Sequence, residues 1–162
     1  MDMKDCATVV GKSVEIYKLN PYSFNKVEGG YYGWDGYVLP LDIMVKEPIL
    51  KKLHDMYTIK IAGFITMEPF TTYDWHVDTN RGVSINMIMT PNANSICMFG
   101  SRGKYEEQRK FIELKYNPQT FYAFNNSYLH QVINFDQPRV MFSLEFEKHK
   151  SQLTYEKLLG EL

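Results

Sequence analysis

The sequence predicts a mainly β protein, a sandwich or barrel of jelly-roll type with flanking helices. Many short apolar segments are separated by turn signals such as Asn80-Arg81-Gly82 and Asn117-Pro118-Gln119, a pattern typical of antiparallel sheets. Aromatic residues make up 15% of the chain, and these side chains are favoured in strands. We expect the 162 residues to form a single domain with its core in residues 58–147.

The composition argues against several classes of function. The net charge is −1 and the isoelectric point is about 6.4, so no basic excess favours a nucleic-acid partner. The two cysteines, Cys6 and Cys97, are too few for a disulfide framework and predict buried, reduced thiols. No apolar run approaches the length of a membrane span, and the first residues lack an apolar signal core. We therefore expect a soluble, cytoplasmic protein.

The first third of the chain is the least regular. Apolar alternation predicts a first strand over Lys12–Leu19. Residues 21–40 are rich in glycine and aromatic residues and show no clear period, which predicts a long loop. Its aromatics either cap the open end of the core or form a lid over a functional site. In the second case Tyr31, Tyr32 or Trp34 would touch a substrate.

The remaining elements have clearer signals. Residues 47–57 predict a helix, with Pro48 in its first turn and an apolar stripe that includes Leu50 and Leu53. Residues 100–110 form a charged segment, which predicts a solvated hairpin tip. A closing helix is predicted over Ser151–Leu162. Strands are predicted over Thr58–Met67, Phe70–Thr79, Val83–Thr90, Ser95–Phe99, Phe111–Tyr116, Thr120–Phe124, Leu129–Phe135 and Arg139–Glu147.

The segment Tyr73-Asp74-Trp75-His76-Val77-Asp78-Thr79 carries the candidate chemistry. On a strand, His76 and Asp78 point to the same face, so one imidazole and one carboxylate can hold a metal ion from one side. His130 on a later strand supplies a second imidazole. Two histidines and one carboxylate form the facial triad of non-haem Fe(II) oxygenases. Arg139 opens the next strand and suits the carboxylate of a co-substrate.

Each of these residues alone is a weak signal. A lone His-x-Asp is more often a surface ion pair, His130 alone is more often a satisfied strand histidine, and Arg139 alone is more often a surface arginine. Their order and spacing along consecutive strands favour the metal site. Asn86 is unusual in an apolar strand and either satisfies a buried backbone group or reaches a ligand.

With these residues in place, residues 59–146 resemble the Fe(II)- and 2-oxoglutarate-dependent oxygenase superfamily. Within it, the segment from Phe124 to Asn134, followed by Arg139, is most similar to the aspartyl/asparaginyl β-hydroxylase and free proline hydroxylase group. The resemblance implies a double-stranded β-helix, the jelly-roll barrel that cupins share. The sequence departs from the group in having Phe70, not glycine, after Pro69.

The resemblance also implies a mechanism and a set of ligands. His76, Asp78 and His130 would bind Fe(II), and Arg139 would bind the distal carboxylate of 2-oxoglutarate. Ser143, Asn86 and, less directly, Arg81 would help to hold this co-substrate. Decarboxylation of 2-oxoglutarate to succinate with O2 would be coupled to hydroxylation of a free amino acid or a peptide or protein side chain.

Two other functions fit the same residues. A cupin-like metal-binding protein without oxygenase activity would need neither Arg139 nor 2-oxoglutarate. An inactive interaction module would keep the fold but bind no stoichiometric Fe(II). The sequence predicts no particular oligomeric state.

Overall fold

The computed structural model describes residues 1–31, 33–105 and 107–162. Short 3₁₀ turns lie at Met3–Asp5, Ile16–Lys18 and Pro21–Ser23. The helices are α1 (Leu41–Met44), α2 (Pro48–Tyr57) and α3 (Tyr155–Glu161). The strands are β1 (Ala7–Lys12), β2 (Asn25–Tyr31), β3 (Trp34–Val38), β4 (Ile59–Met67), β5 (Thr71–His76), β6 (Val83–Ile88), β7 (Ser95–Arg102), β8 (Arg109–Leu114), β9 (Thr120–Asn125), β10 (His130–Asn134) and β11 (Arg139–Phe146).

Within this described part of the chain, the strands form two antiparallel sheets. The large sheet has the order β1-β9-β6-β11-β4-β3-β2, and the small sheet has the order β5-β10-β7-β8. Successive strands from β4 onward cross between the two sheets, with β7 and β8 as a hairpin within the small one. This arrangement is a jelly-roll, double-stranded β-helix, and it confirms the predicted fold class.

The two faces of β11 show how the sequence separates core from cavity. Phe142 and Leu144 are buried in the apolar cluster that α2 and α3 cover from outside the large sheet. Arg139 and Ser143 alternate with them and face the space between the sheets, as the period of two requires. The helices thus bury one face of the large sheet and leave the other face for chemistry.

The strand predicted over Lys12–Leu19 is wrong. β1 ends at Lys12, and the chain then wraps around the buried carboxylate of Glu47. Glu47 accepts hydrogen bonds from the Ser13 hydroxyl and from the backbone N–H groups of Val14, Glu15 and Ile16. These N–H groups are therefore unavailable to a sheet, although the apolar residues still alternate.

The structureless loop predicted for residues 21–40 is also wrong, because β2 and β3 form a hairpin there. β2 is an edge strand whose residues are exposed up to Tyr31, so burial imposes no alternation on its sequence. An irregularity between Val27 and Tyr31 and two glycines with positive φ, Gly29 and Gly33, further hide the strand signal.

The other predicted elements are present. The helix over residues 47–57 is confirmed as α2, in which Leu50 and Leu53 are fully buried. β4 to β11 lie where the sequence predicts strands, and α3 forms the closing helix. Cys6 and Cys97 are buried free thiols. Among the described residues, no helix combines the length and apolar character needed to cross a membrane.

Candidate metal centre

A bulge in β5 turns the first histidine toward the space between the sheets. His130 pairs with His76 and Val132 pairs with Tyr73, so β5 carries one residue more than β10 over this stretch. The extra residue places Tyr73 and His76 on one face, where strict alternation would separate them. Their rings lie 3.9 Å apart between centroids.

Asp78 reaches the site from beyond the strand. β5 ends at His76, so the predicted reason, two side chains on one strand face, is wrong although the residues do converge. The Asp78 N–H instead donates to the Asn126 carbonyl oxygen over 3.0 Å. The loop after β9 therefore positions the carboxylate.

The three side chains present a compact set of donor atoms. Asp78 Oδ1 lies 3.5 Å from His76 Nε2 and 3.4 Å from His130 Nε2, and all three atoms lie within 4.8 Å of one another. Two atoms bound to one ion by bonds of about 2.1 Å can lie up to about 4.2 Å apart, so both Asp78–histidine separations are compatible with one ion. Nitrogen and oxygen donors of this kind suit a first-row divalent metal.

Both histidines are held in the orientation that a metal ligand requires. His76 Nδ1 lies 2.5 Å from the Asp74 carbonyl oxygen, and His130 Nδ1 lies 2.7 Å from that of Tyr128. A carbonyl can only accept, so each Nδ1 carries a proton. Nε2 of each ring then faces Asp78, where it donates a hydrogen bond to the carboxylate when it carries a proton and offers a lone pair to a metal ion when it does not.

Neighbouring side chains orient the Asp78 carboxylate and keep it ionised. Its Oδ2 accepts from Arg81 Nε and Nη2 at 2.9 and 2.8 Å and from Asn126 Nδ2 at 3.0 Å, so Oδ1 faces the histidines. Burial raises the pKa of this carboxyl, but hydrogen bonding to His130 and His76 and the positive charge of Arg81 outweigh burial. The net effect holds the pKa of Asp78 well below its ordinary value, so the side chain is a carboxylate at neutral pH.

His76 also lines a cavity of about 100 Å³ between the sheets, which we call the central cavity. His76 and Tyr73 line it near the donors, and Asn86, Ser143 and Arg139 line it from the large sheet. On β7, Phe99 pairs with His130 while Ser95 lies four residues further along. Arg139 Nε donates to Ser95 Oγ over 3.2 Å. The guanidinium is therefore at the end of the cavity away from the donors.

The other residues predicted for the co-substrate form one hydrogen-bonded chain. Asn86 Oδ1 accepts from Ser84 Oγ at 3.1 Å and from Ser143 Oγ at 2.7 Å. Arg81 Nη1 donates to Ser143 Oγ over 2.8 Å. Arg81 thus links the metal-facing carboxylate to the cavity wall, and Asn86 and Ser143 lie in that wall.

The three residues predicted to touch a substrate have different places. Trp34 lines the central cavity and stacks on Tyr73 with centroids 5.4 Å apart. Tyr31 is 8% exposed, packs its ring against Gly36 and Gly63, and lines a small pocket together with Arg81 and Ser143. Tyr32 lies outside the described residues.

Sequence reasoning missed several residues of this site. Tyr116 and Cys97 flank Arg139 in the central cavity, and burial, chiefly, raises the pKa of Tyr116 well above its ordinary value. Asn126 holds Asp78, and Tyr73 stacks on His76. Tyr73 lies three residues before His76, and Asn126 lies four residues before His130. Proximity in sequence to a candidate ligand was therefore a usable signal for both. Tyr116 has no such signal, because only the packing of the two sheets brings it to the site.

The fold and its three donors define a double-stranded β-helix protein with a candidate metal centre. No protein-family model matches the chain, and no curated protein matches it significantly. Solved structures do match. A 2OG-Fe(II) oxygenase family oxidoreductase from Burkholderia pseudomallei aligns at 12% identity with a TM-score of 0.57, covering 80% of this chain and 76% of that one.

A prolyl-4-hydroxylase from Pseudomonas putida aligns at 12% identity with a TM-score of 0.50, covering 72% of this chain and 73% of that one. At such identities the likeness concerns the fold. The chain therefore has the double-stranded β-helix fold that these oxygenases have, and its function has to be argued from its own residues.

Proposed function

We propose that this protein is an Fe(II)- and 2-oxoglutarate-dependent dioxygenase that hydroxylates an amino-acid-like substrate or a peptide or protein side chain. The three donors fit the metal, because each offers one oriented ligand atom toward a common point. Fe(II), when bound, would supply the chemistry that couples decarboxylation of 2-oxoglutarate to succinate and CO2 with hydroxylation of the substrate by O2. The protein supplies binding, orientation and exclusion of water.

The observation that carries the proposal is that Arg139 is buried without an ion-pair partner among the described residues. Its side chain is buried, with 6% of the residue exposed, and it forms no salt bridge within residues 1–31, 33–105 and 107–162. A buried charge without a counter-charge is costly. An anion in the central cavity would remove this cost, and a carboxylate matches the guanidinium in a bidentate fork.

The cavity has a metal-binding end and an anion-binding end. A short dicarboxylic 2-oxo acid can place its 2-oxo acid group at the donors and its distal carboxylate at Arg139. Ser143 and Asn86 lie along the wall between these ends, where they would hydrogen-bond to the co-substrate. Tyr116 lies beside Arg139 and would donate its hydroxyl to the same carboxylate.

Arg81 has a different part in this proposal. Its guanidinium is engaged by Asp78 and Ser143, so we propose that it positions the metal-binding carboxylate. Any help that it gives to the co-substrate would pass through Ser143. We also propose that the chain is most similar to the aspartyl/asparaginyl β-hydroxylase and proline hydroxylase group, and that residues 21–40 act as a lid, with Tyr31, Tyr32 or Trp34 touching the substrate.

The test is succinate formation from 2-oxoglutarate with Fe(II), ascorbate and O2, first without a substrate and then with amino acids and peptides. We expect slow uncoupled turnover by the wild-type protein. His76→Ala and His130→Ala should remove it, because each loses one of the three donors. His149→Ala is the matched control, since the His149 side chain is exposed and hydrogen-bonds only to Ser151 among the described residues.

Two results would contradict the proposal. Full activity in either donor variant would show that the metal lies elsewhere. Stoichiometric Fe(II) binding without binding or consumption of 2-oxoglutarate would instead identify a cupin-like metal protein with no oxygenase activity.

A further inference from the structure

A second concave surface lies next to the central cavity. It is lined by Gly33, Trp34, Thr72, Tyr73 and Asp74 and has a volume of about 280 Å³. We call it the outer groove. It lies where the β2–β3 hairpin meets β5, which is the edge strand of the small sheet.

The outer groove adjoins the candidate metal centre. Trp34 and Tyr73 line both the groove and the central cavity. The Tyr73 ring is stacked between Trp34, at 5.4 Å, and the metal-facing His76, at 3.9 Å. Only the Tyr73 ring therefore separates a group held in the groove from the metal-facing His76. One small molecule can span this distance, with one end in the groove and the other at the donor atoms.

The lining of the outer groove is aromatic and acidic. Among the described residues that form it, Asp74 alone carries a charge. Asp74 Oδ1 accepts from Trp75 N at 2.7 Å and Gln131 Nε2 at 3.3 Å, while no hydrogen bond or salt bridge to Oδ2 is formed within the described chain. The Thr72 hydroxyl already donates to the Val132 carbonyl oxygen over 3.0 Å. The acceptor left for a ligand is thus a carboxylate oxygen.

We infer that the outer groove binds the cationic group of the substrate, an ammonium or guanidinium such as that of a basic amino acid. The Trp34 ring attracts a cation through its face, and the Asp74 carboxylate in the same groove completes the site. A neutral or anionic group of the same shape gains neither interaction. This inference rests on the proposed function, because it names the substrate class of the same centre, but binding in the groove can be measured without turnover.

The experiment uses Trp34 as a fluorescent reporter. The chain contains two tryptophans, Trp34 and Trp75, so Trp75→Phe leaves Trp34 as the only one. The Trp75→Phe protein is titrated with arginine against citrulline and with lysine against norleucine, pairs that differ mainly in charge. We expect saturable changes in emission with arginine or lysine and at least about tenfold weaker responses with the neutral partner.

Variants locate the binding. In the Trp75→Phe background, Asp74→Asn should weaken the cation response about tenfold, because it removes the charge. Thr72→Lys, at an exposed position, should also weaken it by placing a like charge in the groove. Asp136→Asn, in the exposed turn before β11, is the matched control and should leave the response unchanged.

Equal responses to charged and neutral partners, no response to any of the four ligands, or a response that survives both groove variants would overturn the inference. The succinate assay on the wild-type protein separates the two proposals. Cation binding that depends on Asp74, without any consumption of 2-oxoglutarate, would uphold the groove and refute the oxygenase. Consumption of 2-oxoglutarate that only neutral substrates stimulate would uphold the oxygenase and refute the groove.

Discussion

Asp78 and Asn126, 48 residues apart in the chain, bind each other through both backbone and side chain. The Asp78 N–H donates to the Asn126 carbonyl oxygen, and Asn126 Nδ2 donates to Asp78 Oδ2, each over 3.0 Å. The second contact turns Oδ1 toward His76 and His130. The loop after β9 thus sets the direction of the metal-facing oxygen.

Asn126→Ala should therefore weaken Fe(II) binding without removing a donor atom. Loss of a residue that orients a metal ligand typically costs about 10- to 100-fold in affinity. Anaerobic titration with Fe(II) against a competing chelator measures the change. Asn92→Ala, in the exposed turn before β7, is the control. An unchanged affinity in Asn126→Ala would mean that Arg81 alone orients Asp78.

The pattern of the sequence predicts the fold and the principal ligands because they depend on local signals. Strand alternation identifies β4 to β11, and the spacing of His76, Asp78, His130 and Arg139 along those strands indicates a metal site and an anion site. Whether these residues bind Fe(II) and 2-oxoglutarate stays a prediction. The structure brings the three donors together and places His76 and Arg139 in the lining of one cavity.

What the sequence does not predict depends on contacts between distant segments. The bulge that brings Tyr73 beside His76 is a matter of register between β5 and β10, and register has no local signal here. Glu47 interrupts an alternating segment more than 30 residues before it in the chain. Tyr116 reaches Arg139 only because two sheets pack face to face.

Arg139→Ala should raise the KM for 2-oxoglutarate by about 10- to 100-fold, which is the usual worth of a charge-assisted bidentate contact. Fe(II) affinity should be unaffected, because the guanidinium lies at the other end of the central cavity from the donors. Succinate formation at varied 2-oxoglutarate gives the KM, and Arg109→Ala, at an exposed position on β8, is the control. An equal KM in both variants would place the co-substrate elsewhere.

Phe70→Gly should stabilise the protein. Phe70 has φ of 57° and is 77% exposed, so it has an unfavourable left-handed backbone and little packing to lose. Relief of that strain is worth about 1 kcal/mol. Urea unfolding measures it. Phe111→Gly is the matched control, because Phe111 is a 62% exposed residue within β8 and glycine weakens a strand. Destabilisation by both substitutions would contradict the strain.

Glu47→Ala should destabilise the fold by about 2–4 kcal/mol, because it leaves the N–H groups of Val14, Glu15 and Ile16 and the Ser13 hydroxyl without their acceptor. Glu68→Ala removes a carboxylate from an exposed residue and should change the free energy of unfolding by less than about 0.5 kcal/mol. Similar urea midpoints for the two variants would show that the carboxylate of Glu47 does not hold this segment.

The thiols of Cys6 and Cys97 should resist modification in the folded protein. Burial, as the largest cause, raises the pKa of each to about 11, so only about 0.1% of either is thiolate at pH 8. A thiol-reactive disulfide reagent at pH 8 should react quickly in urea and slowly without it. Fast reaction of the folded protein would contradict the burial of both thiols.

The same pKa shifts predict how the free energy of unfolding depends on pH. The folded state favours the protonated thiols, so their contribution to the free energy of unfolding is complete below about pH 8.5. It falls as the pH rises toward 11, because the unfolded chain loses these protons first.

Cys97 also lines the central cavity, whereas Cys6 does not. Adding 2-oxoglutarate and a divalent metal should therefore slow labelling of Cys97 in Cys6→Ala but leave that of Cys6 in Cys97→Ala unchanged. Protection of neither thiol would place the ligand outside the cavity.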